Sequence, residues 1–187
     1  MKRFCILLVL LLSQQLIFTQ NNLYRADSGS ISFVSDAPLE FIRASSEELK
    51  GIVNPQDNRF AFSVDISTFF GFNSSLQRTH FNENYLESAR FPAASFSGKI
   101  IEPIDWTMPG IQSVRGKGTL RIHDVTQERI IYCQIDKRDD GVLHVNASFN
   151  ISLGDHDINI PKIVVQKISE IVTVSLHSRL VQQAALP

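Results

Sequence analysis

The sequence predicts an all-β domain of eight antiparallel strands, with one amphipathic helix set between two of them. Three observations predict it. Apolar and polar residues alternate with period two in eight separate runs, the pattern of strands with one dry and one wet face. Gly, Pro, Asn or Asp bound these runs, and hairpin signals join some of them, so neighbours in sequence become antiparallel neighbours in space. Between the third and fourth runs the period changes to that of a helix, over residues 76–87.

The chain opens on a segment of another kind. Lys2 and Arg3 precede the apolar run from Phe4 to Leu12, and Ser13-Gln14-Gln15 and a stretch ending near Gln20 follow, the order of a secretory signal peptide over residues 1–20. The run is too short to span a bilayer stably. Ile17 stands where a small residue is expected for a cut after Thr19, so cleavage is placed within a residue or two of Gln20. Cys5 lies far ahead of that position, which argues against a lipid-modified cysteine at the mature terminus. The expectation is a soluble, exported single domain over residues 21–187, ample for one core and short for two. Cys133 alone survives processing, so no intramolecular disulfide forms. On its strand Cys133 reads as a small buried hydrophobe.

Without Lys2 and Arg3, 16 basic side chains face 19 acidic ones, with no long run of either sign. A net charge of −3 argues against nucleic acid as a partner and against an electrostatic hold on anionic lipid.

The elements follow in order. Strands are expected from Ile31 to Ser35 and from Leu39 to Ser46. Asn54-Pro55-Gln56-Asp57-Asn58 then supplies a turn. The clearest strand runs from Arg59 to Ile66, where Phe60, Phe62, Val64 and Ile66 alternate with Ala61, Ser63 and Asp65. Gly71 and Asn73-Ser74-Ser75 give loop and helix-start chemistry, with Ser74 or Ser75 able to bond the free amides of a first turn. In the helix His80, Glu83, Asn84 and Glu87 share a polar stripe, while Phe81 and Tyr85 share the neighbouring face. Pro92 ends the segment by forcing Phe91 out of the helical region. Further strands run from Ala94 to Ile101, Ser113 to Ile122, Glu128 to Lys137, Val142 to Ile151 and Glu170 to Leu180, with a turn at Asp139-Asp140-Gly141. Gly154 to Ser169 is irregular and holds a short apolar turn, Ile163-Val164-Val165.

Eight such strands form a sandwich or close into a barrel, and closure removes the exposed edges. A barrel of this number is either just filled by side chains or just wide enough for one small ligand. Phe33, Phe60, Phe62, Val64, Phe96, Leu120, Ile122, Leu143, Val145, Phe149, Val172 and Val174 are core in the first case and cavity wall in the second.

The residues that carry chemistry form no catalytic set. His80, His123, His144, His156 and His177 lack the spacings of metal ligands, and no second cysteine is left for a zinc site, so no metal is expected. Asp155-His156-Asp157 reads as a solvated turn. Nucleophile-elbow, P-loop and dinucleotide patterns are missing from the sequence. The helix offers Arg78, His80 and Asn84 as side chains that could reach a barrel mouth and bind a polar head group, Arg78 being suited to a phosphate or phenol oxygen.

Four motifs together carry a family resemblance: Gly116-Lys117-Gly118-Thr119-Leu120-Arg121-Ile122-His123-Asp124-Val125-Thr126, His80-Phe81-Asn82-Glu83-Asn84-Tyr85-Leu86, Arg90-Phe91-Pro92 and Phe149-Asn150-Ile151-Ser152-Leu153. With the order of elements, they make the chain similar to the YceI-like family over nearly all of its mature length. The resemblance implies a hollow, lipocalin-like eight-stranded antiparallel β-barrel, exported to the bacterial periplasm, with the helix packed on the barrel and screening its contents. It implies that the apolar strand faces above are cavity wall, and that the cargo is a polyisoprenoid or prenyl quinone-type lipid, carried or stored. No other cofactor is expected, and a homodimer is allowed for. An enzyme acting on a prenylated substrate in the same cavity, or a filled barrel serving as a secreted interaction or stress protein, are the alternatives. The chain departs from its relatives at Asp124, where glycine is usual, and aspartate is among the residues that tolerate the left-handed turn expected there.

Overall fold

The computed structural model describes residues 23–183; the signal peptide expected over residues 1–20 lies outside the described residues. Nine strands form one antiparallel sheet: β1 (Leu23–Asp36), β2 (Phe41–Ser46), β3 (Lys50–Asn54), β4 (Arg59–Asp65), β5 (Ala93–Ile100), β6 (Gly110–Ile122), β7 (Val125–Lys137), β8 (Leu143–Ser152) and β9 (Ile171–Gln183). From β3 onward each strand pairs with the next, and β9 returns to pair with β1 from Leu23 to Val34. β2 and β3 lie end to end on the same flank of β1: Ile31 faces Ser46 in one pair and Tyr24 faces Val53 in the other. They are two parts of one stave. The closed barrel therefore has the eight staves that the sequence predicts.

Two pieces of strand escape the sequence pattern, each for a local reason. β3 carries Gly51, which breaks the alternation because the Phe62 ring on β4 fills the place of its side chain; a Cβ there would stand 2.4 Å from that ring. The first half of β1 shifts register against β9 between Ala26 and Ser28, so its residues do not keep a single period. Glycine has one further structural duty. Gly98 and Gly118 face each other across β5 and β6, and a Cβ on Gly118 would stand 2.1 Å from the Ser97 carbonyl oxygen. Only bare backbone lets the two strands approach so closely.

The helical insertion follows β4. α1 spans Ser75–His80 and is capped by Ser74, whose hydroxyl accepts from the Gln77 amide at 3.1 Å. It passes into a wider π turn over Phe81–Tyr85, where the Leu86 amide donates to the Phe81 carbonyl at 2.9 Å. Glu87, in the left-handed region at φ 42°, stops it. The β6–β7 hairpin turns on His123 and Asp124, both left-handed at φ 52° and 62°, so aspartate does occupy the conformation expected for it.

Strand direction sorts the connections between the two ends of the barrel. The upper end gathers residues 37–40, the insertion over 66–92, the 123–124 turn and the irregular stretch 153–170. At the lower end lie the turns at 55–58 and 138–142, the loop 101–109, the start of β1 and the end of β9. The lower interior is packed solid. Leu143 and Leu180 are fully buried there among Tyr24, Val53, Val114 and Ile135, and Trp106 covers the bottom by stacking on Tyr24 at 6.2 Å between centroids. The indole Nε1–H donates to Asn58 Oδ1 at 2.9 Å, which satisfies its polar end.

Candidate functional site

Above this plug the barrel is hollow. The inward faces of the strands enclose a cavity of about 480 Å³, within the roughly 300–1,000 Å³ usual for small-molecule sites. Its floor is aromatic. Phe60 packs on Phe96 at 5.0 Å and on Phe62 at 6.3 Å, with Ile100, Gly116 and Ile135 beside them. Gly116 leaves room for the Phe60 ring, which a Cβ would approach to 3.0 Å. The walls are Val64, Leu120, Ile122, Ile131, Val145, Phe149, Ile151, Val172 and Val174. Polar residues are sparse until the upper rim is reached, so the chamber offers a mostly apolar surface.

The helical insertion forms the lid. Phe81 turns inward and stacks on Phe33 at 5.4 Å with ring planes 12° apart, while Phe69 and Phe72 close on it at 5.7 and 5.0 Å. Tyr85 and Leu86 point the same way. The π turn makes this possible, since its extra residue brings Phe81 and Leu86, five apart, onto one side. At the rim the Gln77 side-chain amide donates to Glu40 Oε1 at 2.9 Å, and Ser35, Ser74, His80 and Lys167 complete a polar margin.

A strut holds the lid. His123 Nε2 lies 3.3 Å from Glu87 Oε1 and Nδ1 lies 3.2 Å from the His156 carbonyl, with Phe91 edge-on to the ring at 4.6 Å. Three upper loops are thus tied through one imidazole. Hydrogen bonding from Arg90 first, and from His123 as well, holds the Glu87 carboxyl below the usual range. Beneath the 123–124 turn, His156 is fully buried, its Nδ1 3.3 Å from the Val125 carbonyl, and burial pushes its imidazole pKa down.

Of the side chains expected from the sequence to meet a ligand, Phe33, Phe60, Phe62, Val64, Phe96, Leu120, Val145, Phe149, Val172, Val174 and His80 line this cavity. Three stand elsewhere. Leu143 belongs to the solid plug, because its place near the start of β8 is below the cavity floor. Arg78 turns outward and donates to the Ser67 carbonyl at 3.0 Å. Asn84 is exposed on the outer side of the π turn, which the inward turn of Phe81, Tyr85 and Leu86 dictates.

Other lining residues had no signal of their own. Leu49 and Val53 sit on or beside the unrecognised β3, and Glu40, Val164, Lys167 and Ile168 come from irregular segments. Cys133 could have been found, for it shares a strand face with Ile131 and Ile135. Burial, with a smaller contribution from the charge of Glu102, pushes its thiol up to about 11. Among the described residues no three His, Cys, Asp or Glu side chains gather as a metal site would need. Nor is any described helix long and apolar enough to cross a membrane.

An antiparallel β-barrel, solid at one end and hollow at the other, with a helical lid over a nearly apolar chamber, is a barrel of the lipocalin-like kind. The sequence matches the YceI-like domain over residues 25–180, most of the chain, and the protein belongs to that family. Among solved structures it is similar to a polyisoprenoid binding domain from Saccharophagus degradans implicated in plant cell wall breakdown, at 14% identity and TM-score 0.72, covering 86% of this chain and 98% of that one. BcnA of Burkholderia cenocepacia aligns at 10% identity and TM-score 0.67, over 81% and 95% of the two chains. The YceI protein of Campylobacter jejuni aligns at 15% identity and TM-score 0.56, over 77% and 85%. No curated protein sequence matches. At these identities the likenesses establish the fold.

Proposed function

We propose that the protein is an exported, periplasmic lipid-binding protein that holds a polyisoprenoid or prenyl quinone-type lipid in its barrel, for carriage or storage, and that it is not an enzyme. The observation that carries this reading is the chamber of about 480 Å³, nearly apolar below its rim and open at one end. At roughly 30 Å³ per water-sized group it takes about sixteen carbon-sized groups, or three isoprene units, and a longer chain extends through the mouth. Membership of the YceI-like family and the likeness to a domain named for polyisoprenoid binding support the choice of lipid. The expected signal peptide supports export.

Energetics favour a carrier. The roughly sixteen carbons that the chamber takes have a gross transfer term on the order of 13 kcal/mol before ordering costs. One hydrogen bond to the head adds only about 1 kcal/mol. Affinity therefore follows chain length, and head selectivity is modest. The test is mass spectrometry of an organic extract from the mature protein, purified from its own host's periplasm without detergent. A stoichiometric prenyl lipid is the expected result, and in binding assays a shortened prenyl analogue loses far more affinity than a head-modified one of full length. A clean extract from folded protein, or the reverse ranking, refutes the reading.

A further inference from the structure

The surface around the mouth carries apolar residues that the cavity does not use. Ile163 is 92% exposed, Leu39 66% and Val165 46%, and none of the three lines the chamber. Leu76, 61% exposed, continues the patch from the lid onto the cavity rim. These residues come from three different upper segments, yet the segments are tied together: the Leu39 amide donates to the Gln166 carbonyl at 2.8 Å, and Gln77 of α1 donates to Glu40. They form a collar.

On the most exposed part of this collar the charges between Asp157 and Glu170 are two lysines, while Glu40, beside Leu39, accepts from Gln77. From residue 158 to residue 169 the stretch is Ile-Asn-Ile-Pro-Lys-Ile-Val-Val-Gln-Lys-Ile-Ser, with no acidic side chain. Lys162 and Lys167 are both exposed, flanking Ile163 and Val165. The domain as a whole is net acidic, so these two lysines are a local feature rather than a share of a general excess. Aliphatic tips bordered by lysines suit a lipid headgroup region, where the tips enter the acyl boundary and the ammonium groups meet phosphates. A protein partner would call for another composition, since lysine is depleted and aromatic residues are enriched in the centres of protein interfaces.

We infer that the upper end of the barrel docks reversibly on an anionic bilayer surface through Leu39, Leu76, Ile163, Val165, Lys162 and Lys167, mouth towards the lipid, so that cargo passes between membrane and chamber without crossing water. The inference rests on reading the chamber as a lipid site, which gives the docked orientation its use. The hold is weak, because four partly inserted side chains and two lysines fall well short of a spanning segment.

The experiment is flotation of the full mature chain with vesicles of phosphatidylcholine alone and of phosphatidylcholine with about a third phosphatidylglycerol. A fluorescent prenyl alcohol, added from ethanol without vesicles, reports separately on the chamber. The expected result is flotation with the anionic vesicles, weakened by salt, and a loss of about tenfold or more in I163E/V165E. Uptake of the free prenyl probe by I163E/V165E stays at the parent level, because neither residue lines the chamber. Parent protein that never floats, or I163E/V165E that floats equally well, overturns the proposal. So does a parent that sediments as a dimer which I163E/V165E abolishes, since a second copy then covers the collar. Flotation without probe uptake upholds the docking surface and rejects the chamber as a lipid site.

Discussion

The lower and upper halves of the barrel interior are built from the same residue types and do opposite things. Below, Leu143 and Leu180 have no exposed surface, and Trp106 seals the bottom against Tyr24. Above, Leu120, Val172 and Val174 are buried from bulk water yet face a chamber on their inner side. The difference lies in what stands opposite. Side chains of the lower strands meet across the axis, whereas the upper strands look towards a lid whose aromatic residues contact one another and leave space beneath. Stability and capacity are thereby separated along one axis: the plug supplies dense packing, and the chamber forgoes dispersion contacts that a guest would restore.

The widest gap between the halves is expected in stability. Leu143→Ala, which opens a void in the plug, should cost about 4 kcal/mol, and Leu120→Ala, beside space that already exists, about 2 kcal/mol. Urea unfolding of both proteins measures the pair, and equal losses would dissolve the distinction. Next comes a substitution that fills the chamber. Ala94→Phe places a ring among the upper walls, and should weaken prenyl-chain binding by about tenfold while changing stability by less than about 1.5 kcal/mol. A filled plug position cannot give that pattern.

Acid should loosen the upper half first. The buried His156 has a folded pKa below its unfolded value, so the stability it contributes is complete above the unfolded pKa, near 6.5, and is lost as pH falls through the folded one. Unfolding midpoints between pH 7 and pH 5 should fall less steeply in His156→Gln than in the parent. An unchanged slope would place the pH dependence elsewhere. The smallest effect concerns Cys133, whose thiol stays protonated at neutral pH because burial raises its pKa to about 11. Labelling by a water-soluble maleimide at pH 7.5 should be far slower than for the unfolded chain, and a chamber filled with prenyl lipid should slow a small lipophilic thiol reagent as well.

Period-two alternation made most of the staves legible, and motif by motif the chain showed its family. What escaped was governed by contacts across strands or loops. Gly51 hides β3 because its missing side chain is supplied by Phe62 from the neighbouring strand. Leu143 and Val145 read alike in sequence, two residues apart on one strand face, and only height along the barrel axis puts the first in the plug and the second at the chamber. Arg78 is drawn outward by its bond to the Ser67 carbonyl, and Asn84 lies in the π turn, which rotates the later residues relative to an ideal helix. The His123 strut joins positions 87, 123 and 156, which no spacing rule connects.

The sequence by itself determined an all-β chain of eight staves, the helical insertion with a cap at Ser74 or Ser75, the turn chemistry at Gly141, and the apolar inner faces. These are local matters, settled by side-chain period and by which residues tolerate which backbone angles. Tertiary structure alone decided where the interior is full and where it is empty, which rim residues meet around the mouth, and which exposed aliphatic groups form one collar. Those depend on distances across the barrel and between loops far apart in the chain, and a one-dimensional pattern carries no such distance.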